Sequence, residues 1–448
     1  MSALVQLARA RGDTVTGSDR YFDQGDMPDR RARLEAQGIR IFPQDGSAIR
    51  RDITHLVVST AIEDQNLDLA RARELGLTTI HRSRVLSNFF QECHRGVAVT
   101  GSFGKTTITA LIGWGLASAG LKPMVVNGGI MRNFENEKMI GNAVPGDGEY
   151  ACIEADESDG TCINYRSSVG VITGIARDHK EPDELQRIFI TFAANTRDAL
   201  VVSPQAGAIL IGQPGPRRVT FGLQDGDVRP RRIHLGSRDV RFNVGNTRFT
   251  LRQIGAYSVF NALAAIAALR EMGVTDHSIE NALRRFEGVG RRMELINRVR
   301  GVRIFDDFAH NPSKIEAAVE AVRRAGARRV LGVFQFHGFG PARFMRQELV
   351  EVLARCLGKE DRLWLLPIYY AGGTAAKDIS AAEIAAEAAA RSAPVSAAAD
   401  RAELLSALRQ TAQEKDTILV MGARDDTLTA LCREIAQALE SAPPVKGA

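Results

Sequence analysis

Short apolar runs rich in β-branched residues alternate with amphipathic helical stretches along most of the chain. Strands that alternate with helices indicate βαβ units, in which a parallel sheet presents its ligands at the carboxyl ends of the strands. A helical stretch with no strand ahead of it opens the first unit. For this unit the pattern predicts strands at Thr14–Asp19, Ile39–Phe42 and His55–Thr60 and helices at Ala3–Arg11, Arg30–Gln37 and Asp68–Leu75.

The alternation continues through two more units, so we predict an α/β fold of three domains, 1–94, 95–292 and 293–448, each with a mostly parallel sheet. Short strands with Gly and Pro turns between about Leu200 and Leu251 predict a small antiparallel excursion, and the alanine-rich stretch Ser380–Ser406 predicts a helix pair. Further strands are predicted at Met124–Asn127, Tyr150–Glu154, Val169–Thr173, Val302–Phe305, Val330–Phe334, Arg362–Leu366 and Thr417–Met421, and further helices at Ile108–Ala119, Ser258–Met272 and Pro312–Ala325.

Composition narrows the class of protein. The chain has 448 residues, of which 44% are hydrophobic, enough for each unit to bury a core. It lacks both a long apolar run and the charge and cleavage pattern of a signal peptide, so we expect a cytoplasmic protein without a membrane partner. The five cysteines show no CxxC pairing, which predicts free thiols in a reducing compartment.

The basic residues that give the net charge of +5 are spread along the chain, and only 6% of residues are aromatic. A nucleic-acid partner is therefore not expected, because such proteins cluster their positive charge and interleave it with aromatic residues. Anionic small substrates such as nucleotides suit a moderately basic surface better.

A glycine-rich turn follows the apolar strand Val97–Thr100 and ends in Lys105-Thr-Thr107. Gly101 and Gly104 allow the backbone N–H groups to point inward at a phosphate, Lys105 can reach the outer phosphates, and the Thr106 hydroxyl can bind Mg²⁺. The pattern is TGxxGKTT, because Val99 takes the place of the first glycine in the ordinary GxxxxGK[ST] motif. The turn therefore predicts an ATP site, and the missing first glycine narrows the family of ATP-using proteins to which the chain can belong.

Two polar residues follow predicted strands of the same unit. Glu154 begins the acidic run Glu-Ala-Asp-Glu-Ser-Asp159, where it is a candidate Mg²⁺ ligand or part of a solvated acidic turn. His179 lies beyond the strand that ends at Thr173, where it is either a second ligand or a structural histidine.

The third unit carries polar residues between a strand and a proline-started helix, in Phe305-Asp-Asp-Phe-Ala-His-Asn-Pro312. Such a loop can hydrogen-bond a ribose or base, or it can simply cap the helix. Arg292, in Gly290-Arg-Arg292 at the junction of two units, can bring positive charge to a transferring phosphate or form an interdomain salt bridge.

Together these motifs resemble the Mur ligase family of ATP-dependent amide-forming ligases over nearly the whole chain. The residues that carry the resemblance are Thr100-Gly-Ser-Phe-Gly-Lys-Thr-Thr107, Glu154-Ala-Asp-Glu-Ser-Asp159, Asp178-His179, Asn261-Ala-Leu-Ala-Ala265, Gly290-Arg-Arg292 and Asp306-Asp-Phe-Ala-His-Asn-Pro312. The resemblance implies a Rossmann-like first domain, a P-loop ATPase-like second domain and a Rossmann-like third domain. The resemblance is strongest to the members that join L-alanine to UDP-N-acetylmuramate. It is nearly as strong to the members that add a murein tripeptide.

The resemblance implies that a substrate carboxylate attacks the ATP γ-phosphate and that an amine displaces phosphate from the acyl phosphate, in peptidoglycan precursor synthesis. The cofactors would be ATP and Mg²⁺, the amine L-alanine or a small peptide, and the protein a monomer or homodimer. The implied catalytic residues are Lys105, His179 and Arg292, and the implied metal ligands are Thr106, Glu154 and His179. The implied contacts to ATP are Gly101, Ser102, Phe103, Gly104, Lys105, Thr106, Thr107, Asn261, Arg292, Asp307, His310 and Asn311. The implied contacts to the uridine nucleotide are Asp19, Ser59 and Arg82. The implied contacts to the amine substrate are His337 and Arg343.

The chain departs from the family pattern at several places. The family's first strand and glycine-rich UDP loop precede a helix like Met1-Ser-Ala-Leu4, so a misassigned start or an incomplete UDP site is expected. Thr173-Gly174, Tyr257-Ser258, the segment before Arg343 and Met421-Gly-Ala-Arg-Asp425 also differ. A different carboxylate and amine pair, or an inactive nucleotide-binding sensor, are therefore the alternative functions.

Overall fold

A computed structural model describes residues 1–175, 182–370 and 376–441 of the chain. These residues form two compact units. Unit 1 comprises residues 1–232, 242–251 and 259–289, and unit 2 comprises residues 233–241, 252–258 and the described residues from 290 onward. No helix among these residues has the length and apolar character that crossing a bilayer demands.

The first part of unit 1 holds two separate two-stranded sheets, each of them parallel. The strands and helices predicted for residues 1–94 form in this part of the chain. Phe22, Leu34 and Ile39 belong to a small buried apolar core. The elements are α1 (Ser2–Ala10), β1 (Thr16–Ser18), α2 (Arg20–Asp23), α3 (Pro28–Ala36), β2 (Arg40–Phe42), β3 (His55–Val58), α4 (Leu67–Glu74), β4 (Thr78–His81) and α5 (Arg82–Gln91).

The central part of unit 1 is built on a seven-stranded sheet in the order β11-β10-β9-β5-β8-β6-β7. All neighbouring strands are parallel except β7, which runs antiparallel to β6. The elements are β5 (Arg95–Thr100), α6 (Lys105–Ser118), β6 (Met124–Val126), β7 (Ala143–Val144), β8 (Tyr150–Glu154), β9 (Val169–Ile172), α7 (Pro182–Ala194), β10 (Ala199–Val202), α8 (Pro204–Ala208) and β11 (Arg217–Thr220).

Strand order places the loop after β5 at the centre of this sheet. After β5 the chain moves to one side, through β6 and β8, and then crosses to the other side, through β9 and β10. Ligands of parallel sheets bind where the strand order reverses in this way. The carboxyl ends of β8 and β9 flank the loop, so residues after Glu154 and Ile172 are its neighbours.

The predicted antiparallel excursion was partly wrong. Its first strands, β10 and β11, extend the main sheet in parallel. Parallel pairing continues because the helical turn α8 provides the crossover between them. The rest of the stretch forms a separate three-stranded sheet, β12 (Arg231–Leu235), β13 (Val240–Val244) and β14 (Thr247–Leu251), followed by α9 (Ala256–Glu271) and α10 (Asp276–Arg284).

Unit 2 has a six-stranded sheet in the order β15-β16-β20-β17-β18-β19. Only β15 is antiparallel to its neighbour. The predicted helix pair at Ser380–Ser406 forms, and a short edge strand that was not predicted lies between its two helices. The elements are β15 (Glu294–Val299), β16 (Val302–Asp307), α11 (Pro312–Arg324), β17 (Val330–Phe334), α12 (Phe339–Cys356), β18 (Arg362–Leu365), α13 (Ala381–Ala390), β19 (Val395–Ala397), α14 (Arg401–Thr411), β20 (Thr417–Met421) and α15 (Leu428–Glu440).

Candidate active site

The glycine-rich turn joins β5 directly to α6 in unit 1. Gly101 and Gly104 both have positive φ angles, +118° and +74°, which only glycine adopts easily. A Cβ atom on Gly101 would lie 2.4 Å from Thr173 Oγ1, and one on Gly104 would lie 2.4 Å from Asn261 Oδ1. The turn therefore needs glycine for its backbone angles and for the close approach of its neighbours.

Lys105, the first residue of α6, is held by carboxylates of the acidic run. Its Nζ donates to Glu157 at 3.0 Å from Oε1, lies 2.9 Å from Oε2, and is 3.6 Å from Asp156 Oδ1. Burial acts to lower the pKa of the Lys105 ammonium, but these carboxylates outweigh burial and raise it. Burial also raises the pKa of Glu157, which is only 6% exposed, and Lys105 offsets this only in part.

Thr106 and Glu154 are joined at the carboxyl end of β8. The Thr106 hydroxyl donates to Glu154 Oε1 at 3.0 Å, and the backbone N–H of Gly128 donates to Oε2 at 2.7 Å. A hydroxyl beside a fixed carboxylate at the end of a phosphate loop is the donor set that Mg²⁺ takes in nucleotide sites. Within the described part of the chain, no group of three His, Cys, Asp or Glu side chains is arranged for a metal ion.

His179, predicted as a catalytic residue and metal ligand, lies outside the described residues. Its position beside the pair formed by Thr106 and Glu154 therefore stays a prediction. Of the three predicted metal ligands, the structure therefore describes only Thr106 and Glu154.

Phe103, within the turn, packs near a second aromatic side chain. The ring of Phe103 lies 5.7 Å from that of Phe260, and Asn261 next to it approaches Gly104. A Cβ on Gly174 would lie 2.2 Å from Phe103 Cζ, so the glycine at this position makes room for the ring. Any residue with a Cβ atom at position 174 would clash with the ring in this position.

Three further predicted residues lie in the first part of unit 1. The Asp19 carboxylate accepts from the backbone N–H of Tyr21 at 3.0 Å and thereby caps α2. Arg82 donates to Asp159 Oδ2 at 3.1 Å, which links α5 to the acidic run. Ser59 follows the end of β3 and is half-buried.

In unit 2, Asp307 ends β16 with its carboxylate fixed by backbone. It accepts from Met293 N at 2.6 Å and from Ala309 N at 2.8 Å. Burial raises the pKa of Asp307 to about 6, although nearby Arg292 acts in the opposite direction. The Arg292 guanidinium lies 4.4 Å from the centre of the Phe308 ring.

Asp306 points to a different set of partners. It is fully buried and accepts from Thr429 Oγ1 at 2.5 Å, and Arg291 lies 3.4 Å away. Arg291 also donates to the carbonyl oxygens of Gly422 and Ala423. These contacts connect the end of β16 to the loop after β20, so the role of Asp306 is structural. Asp307 is then the candidate carboxylate for ligand binding at the end of β16.

Two histidines predicted for different ligands lie together. The rings of His310 and His337 are 5.1 Å apart and nearly perpendicular. Asn311 Oδ1 accepts from Lys314 N at 3.0 Å, so this residue caps α11, as the alternative interpretation of the loop expects. Arg343, in α12, is ion-paired with Asp378 and donates to the carbonyl oxygen of Ala376.

Comparison with known proteins decides the family. The chain is 31% identical over 441 residues to the UDP-N-acetylmuramate–L-alanine ligase of Anaeromyxobacter dehalogenans, covering 95% of this chain and 93% of that protein. The chain belongs to the Mur ligase family. Residues 1–94 match the Mur ligase family catalytic domain, residues 99–269 the Mur ligase middle domain, and residues 291–424 the Mur ligase glutamate ligase domain.

Other comparisons agree with this assignment. The ligase of the same name from Carboxydothermus hydrogenoformans is 32% identical and covers 86% of this chain and 83% of its own. The solved UDP-N-acetylmuramate–alanine ligase of Thermotoga maritima superposes with a TM-score of 0.82 at 23% identity, covering 99% of this chain and 97% of that one. A murein peptide ligase from Psychrobacter arcticus gives a TM-score of 0.67 at 20% identity, with 99% and 97% covered. The predicted α/β fold of three Mur ligase domains with mostly parallel sheets is thus confirmed.

Sequence reasoning missed several residues that this Mur ligase uses to fix its site. Glu157 was read only as part of an acidic run, yet it holds Lys105. No role was predicted for Arg291 from the sequence, although this residue donates to the carbonyl oxygen of Gly422 and so stabilises the end of β16. The glycine pair after β6 gave a usable signal, because Gly128 lets its backbone approach Glu154.

All five cysteines of this Mur ligase are free, as predicted. Burial raises the pKa of Cys162 to about 12 and that of Cys356 to about 11. Thiols this weakly acidic are poor nucleophiles at neutral pH. A cysteine-based mechanism is therefore not favoured.

We expect Gly101→Ala to destabilise the protein by about 2–3 kcal/mol, because it combines backbone strain with a steric clash. The new Cβ would lie 2.4 Å from Thr173 Oγ1 and 2.8 Å from Thr173 N, and the backbone atom cannot swing away. Denaturant unfolding measures the change. Gly120→Ala is the matched control, since Gly120 also has a positive φ, +81°, but its Cβ would meet nothing within 4 Å. Equal losses in the two variants would contradict the close packing of the turn.

Asp307 should make stability depend on pH. Its folded-state pKa of about 6 lies above the ordinary value of about 4, so its contribution is fully present below pH ~4 and is lost as the pH rises through ~6. We expect the stability of the unchanged protein relative to Asp307→Asn to fall by roughly 2–3 kcal/mol between pH ~4 and pH ~7. Unfolding of both proteins across this range measures the difference. A constant difference would show that the carboxylate is not buried as described.

Proposed function

We propose that this Mur ligase joins L-alanine to the carboxylate of UDP-N-acetylmuramate, with ATP converted to ADP and phosphate. The observation that carries the proposal is the 31% identity, over 95% of the chain, to a ligase of that name. The intact phosphate turn and the pair formed by Thr106 and Glu154 support an active enzyme over a nucleotide-binding sensor. A soluble cytoplasmic monomer or homodimer stays the expectation from sequence.

The reaction proceeds in two steps. A carboxylate oxygen of the sugar nucleotide attacks the γ-phosphorus of ATP, the bond to the ADP oxygen breaks, and ADP leaves with the electron pair. The amine nitrogen then attacks the acyl carbon, and phosphate leaves with the bridging oxygen. The amine loses a proton to solvent, and an amide remains. Activation of the carboxylate makes amide formation favourable.

The turn after β5 binds the phosphates in this proposal. Its N–H groups and the N-terminus of α6 face the negative charge, and Lys105 neutralises the outer phosphates. In the structure Lys105 lies against Glu157 at the turn, so its charge is already beside the phosphate site, and the ammonium only exchanges this carboxylate for phosphate oxygens when ATP binds. Ser102, Phe103, Gly104 and Thr107 complete the turn, and Asn261 reaches the nucleotide from α9.

Thr106 and Glu154 fit a divalent cation, since both present oxygen atoms at the edge of the turn. His179 completes the proposed ligand set from outside the described residues. When bound, Mg²⁺ neutralises the developing charge on the β- and γ-phosphate oxygens. The task of this chain's own residues is to hold Thr106 and Glu154 in place, which the Gly128 N–H does.

Residues of unit 2 also have roles in this proposal. Asp307, whose carboxylate accepts from Met293 N and Ala309 N, is the proposed acceptor for a ribose hydroxyl, and His310 is a further proposed nucleotide contact. The role proposed for Arg292, whose guanidinium lies 4.4 Å from the centre of the Phe308 ring, is to contribute positive charge to phosphoryl transfer. His337 and Arg343 contact the amine substrate, while Asp19, Ser59 and Arg82 of unit 1 contact the uridine nucleotide.

Phosphate release tests the proposal. The protein is incubated with MgATP and UDP-N-acetylmuramate, and L-alanine or the murein tripeptide is supplied as the amine. We expect release that depends on the sugar nucleotide and is greatest with L-alanine. If release is greatest with the tripeptide, the amine substrate is the peptide and not L-alanine. If phosphate is released only with another carboxylate, UDP-N-acetylmuramate is not the substrate. No release with any pair would favour the sensor.

A further inference from the structure

Asn127 directly follows β6 and lies opposite Glu154. The parallel register of β6 and β8 pairs Val125 with Cys152 and Val126 with Ile153, so the next pair along is Asn127 and Glu154. Side chains two residues apart on a strand share one face. Val125 packs against α6, where a Cβ on Gly113 would meet its Cγ1 at 2.8 Å. Asn127 is therefore on the face of the sheet that carries α6 and the Thr106–Glu154 pair.

The amide of Asn127 is buried without a hydrogen bond. The residue is only 4% exposed, and neither Nδ2 nor Oδ1 has a partner among the residues that the structure describes. Leaving a buried polar group unsatisfied costs about 1–3 kcal/mol. Its backbone N–H does bond, to Asn142 O at 3.0 Å, so the strand itself needs nothing from the side chain. The amide is thus not explained by the packing of the fold.

The two glycines after Asn127 bring this segment against the metal-ligand pair. Gly128 donates to Glu154 Oε2 at 2.7 Å, and a Cβ on Gly128 would lie 2.6 Å from the same oxygen. A Cβ on Gly129 would lie 2.9 Å from Thr106 Cγ2. Nothing bulkier than glycine fits, so the backbone holds Asn127 immediately beside Thr106 and Glu154.

We propose that Asn127 is a positioning residue for the divalent cation of the ATP site, acting through the cation's water shell. Mg²⁺ keeps several waters when it binds at one or two protein ligands, and those waters donate hydrogen bonds. The Oδ1 atom of Asn127 accepts from such a water, and Nδ2 donates to a phosphate oxygen. The amide is satisfied only when metal and nucleotide are both present. This inference rests on the proposed function, because it assumes an ATP site.

The test compares the affinity for ADP with and without Mg²⁺, measured by calorimetry on the full chain. Asn127→Leu keeps the shape and removes both polar atoms. We expect it to weaken Mg²⁺·ADP binding about tenfold, the effect of one or two lost hydrogen bonds, while ADP binding in EDTA changes less than about twofold. Its unfolding free energy should be unchanged or higher, because a buried unsatisfied amide is gone.

Thr109→Val is the matched control. The Thr109 hydroxyl in α6 is also buried and has no partner among the described residues, but it lies one helical turn beyond Lys105. We expect this variant to bind Mg²⁺·ADP like the unchanged protein. A tenfold loss here as well would show that any buried polar change in this region weakens binding, and would contradict the specific role of Asn127.

Asn127→Asp keeps an oxygen acceptor and serves if the leucine variant fails to fold. We expect Mg²⁺ to strengthen its ADP binding at least as much as in the unchanged protein. A lost Mg²⁺ effect in this variant would overturn the proposal, as would a leucine variant that binds Mg²⁺·ADP normally or loses affinity equally in EDTA. The assay uses neither sugar nucleotide nor amine, so a failed ligase assay with these binding differences intact refutes only the proposed reaction. An unchanged protein that binds no ADP refutes both.

Discussion

Lys105→Ala should lower the rate of phosphate release by about a thousandfold or more, because it removes the cation that neutralises the transferring phosphoryl group. The ammonium is fixed at the N-terminus of α6 and approaches both oxygens of Glu157 within 3.0 Å. Its charge is therefore already beside the turn before ATP binds, held by Glu157, and passes to the phosphate oxygens when the nucleotide arrives. Steady-state phosphate release with saturating substrates measures the loss.

The same substitution leaves Glu157 buried without its cation, which costs stability as well as activity. The double variant Lys105→Ala with Glu157→Gln separates the two effects. We expect it to recover the unfolding free energy but not the rate. A double variant that regains activity would show that Lys105 acts only as a partner for Glu157. A single variant with an undiminished rate would refute the catalytic role.

Glu154→Gln should reduce phosphate release by about a hundredfold and raise the Mg²⁺ concentration needed for half-maximal rate about tenfold. The amide can still accept from Gly128 N, so the fold is preserved, but the negative charge beside Thr106 is lost. A Mg²⁺ titration of the rate measures both changes. Asp156→Asn, which removes a carboxylate from the same loop, is the control and should leave the Mg²⁺ requirement unchanged. An unaltered requirement in Glu154→Gln would exclude it as a ligand.

The parts of the site that the sequence predicted are those with local signals. Glycine positions and the Lys-Thr-Thr ending define the turn by themselves, and an apolar strand placed Glu154 at its carboxyl end. The helix after the turn was predicted to begin at Ile108 but begins at Lys105. Gly104, the N-cap residue, lies directly before Lys105, so the Lys-Thr-Thr residues that were assigned to the turn form the first turn of the helix.

The parts that were missed depend on residues far apart in sequence. Arg291 binds the carbonyl oxygens of Gly422 and Ala423, and no local pattern reports such a pairing. Gly174 departs from the family pattern, and Phe103, whose ring leaves no room for a Cβ atom there, lies far earlier in the sequence. Alanine content predicts the helix pair at Ser380–Ser406, but not the short strand β19 between the helices, which is stabilised by pairing with β18.

Transfer of oxygen from the substrate carboxylate to phosphate tests the central claim most directly. UDP-N-acetylmuramate labelled with ¹⁸O in its carboxylate is converted with ATP and L-alanine in unlabelled water, and the released phosphate is examined by mass spectrometry. Attack of the carboxylate on ATP predicts one ¹⁸O atom in each phosphate, because the bridging oxygen of the acyl phosphate leaves with it. Phosphate without ¹⁸O, formed at the rate of amide synthesis, would contradict carboxylate activation by this Mur ligase.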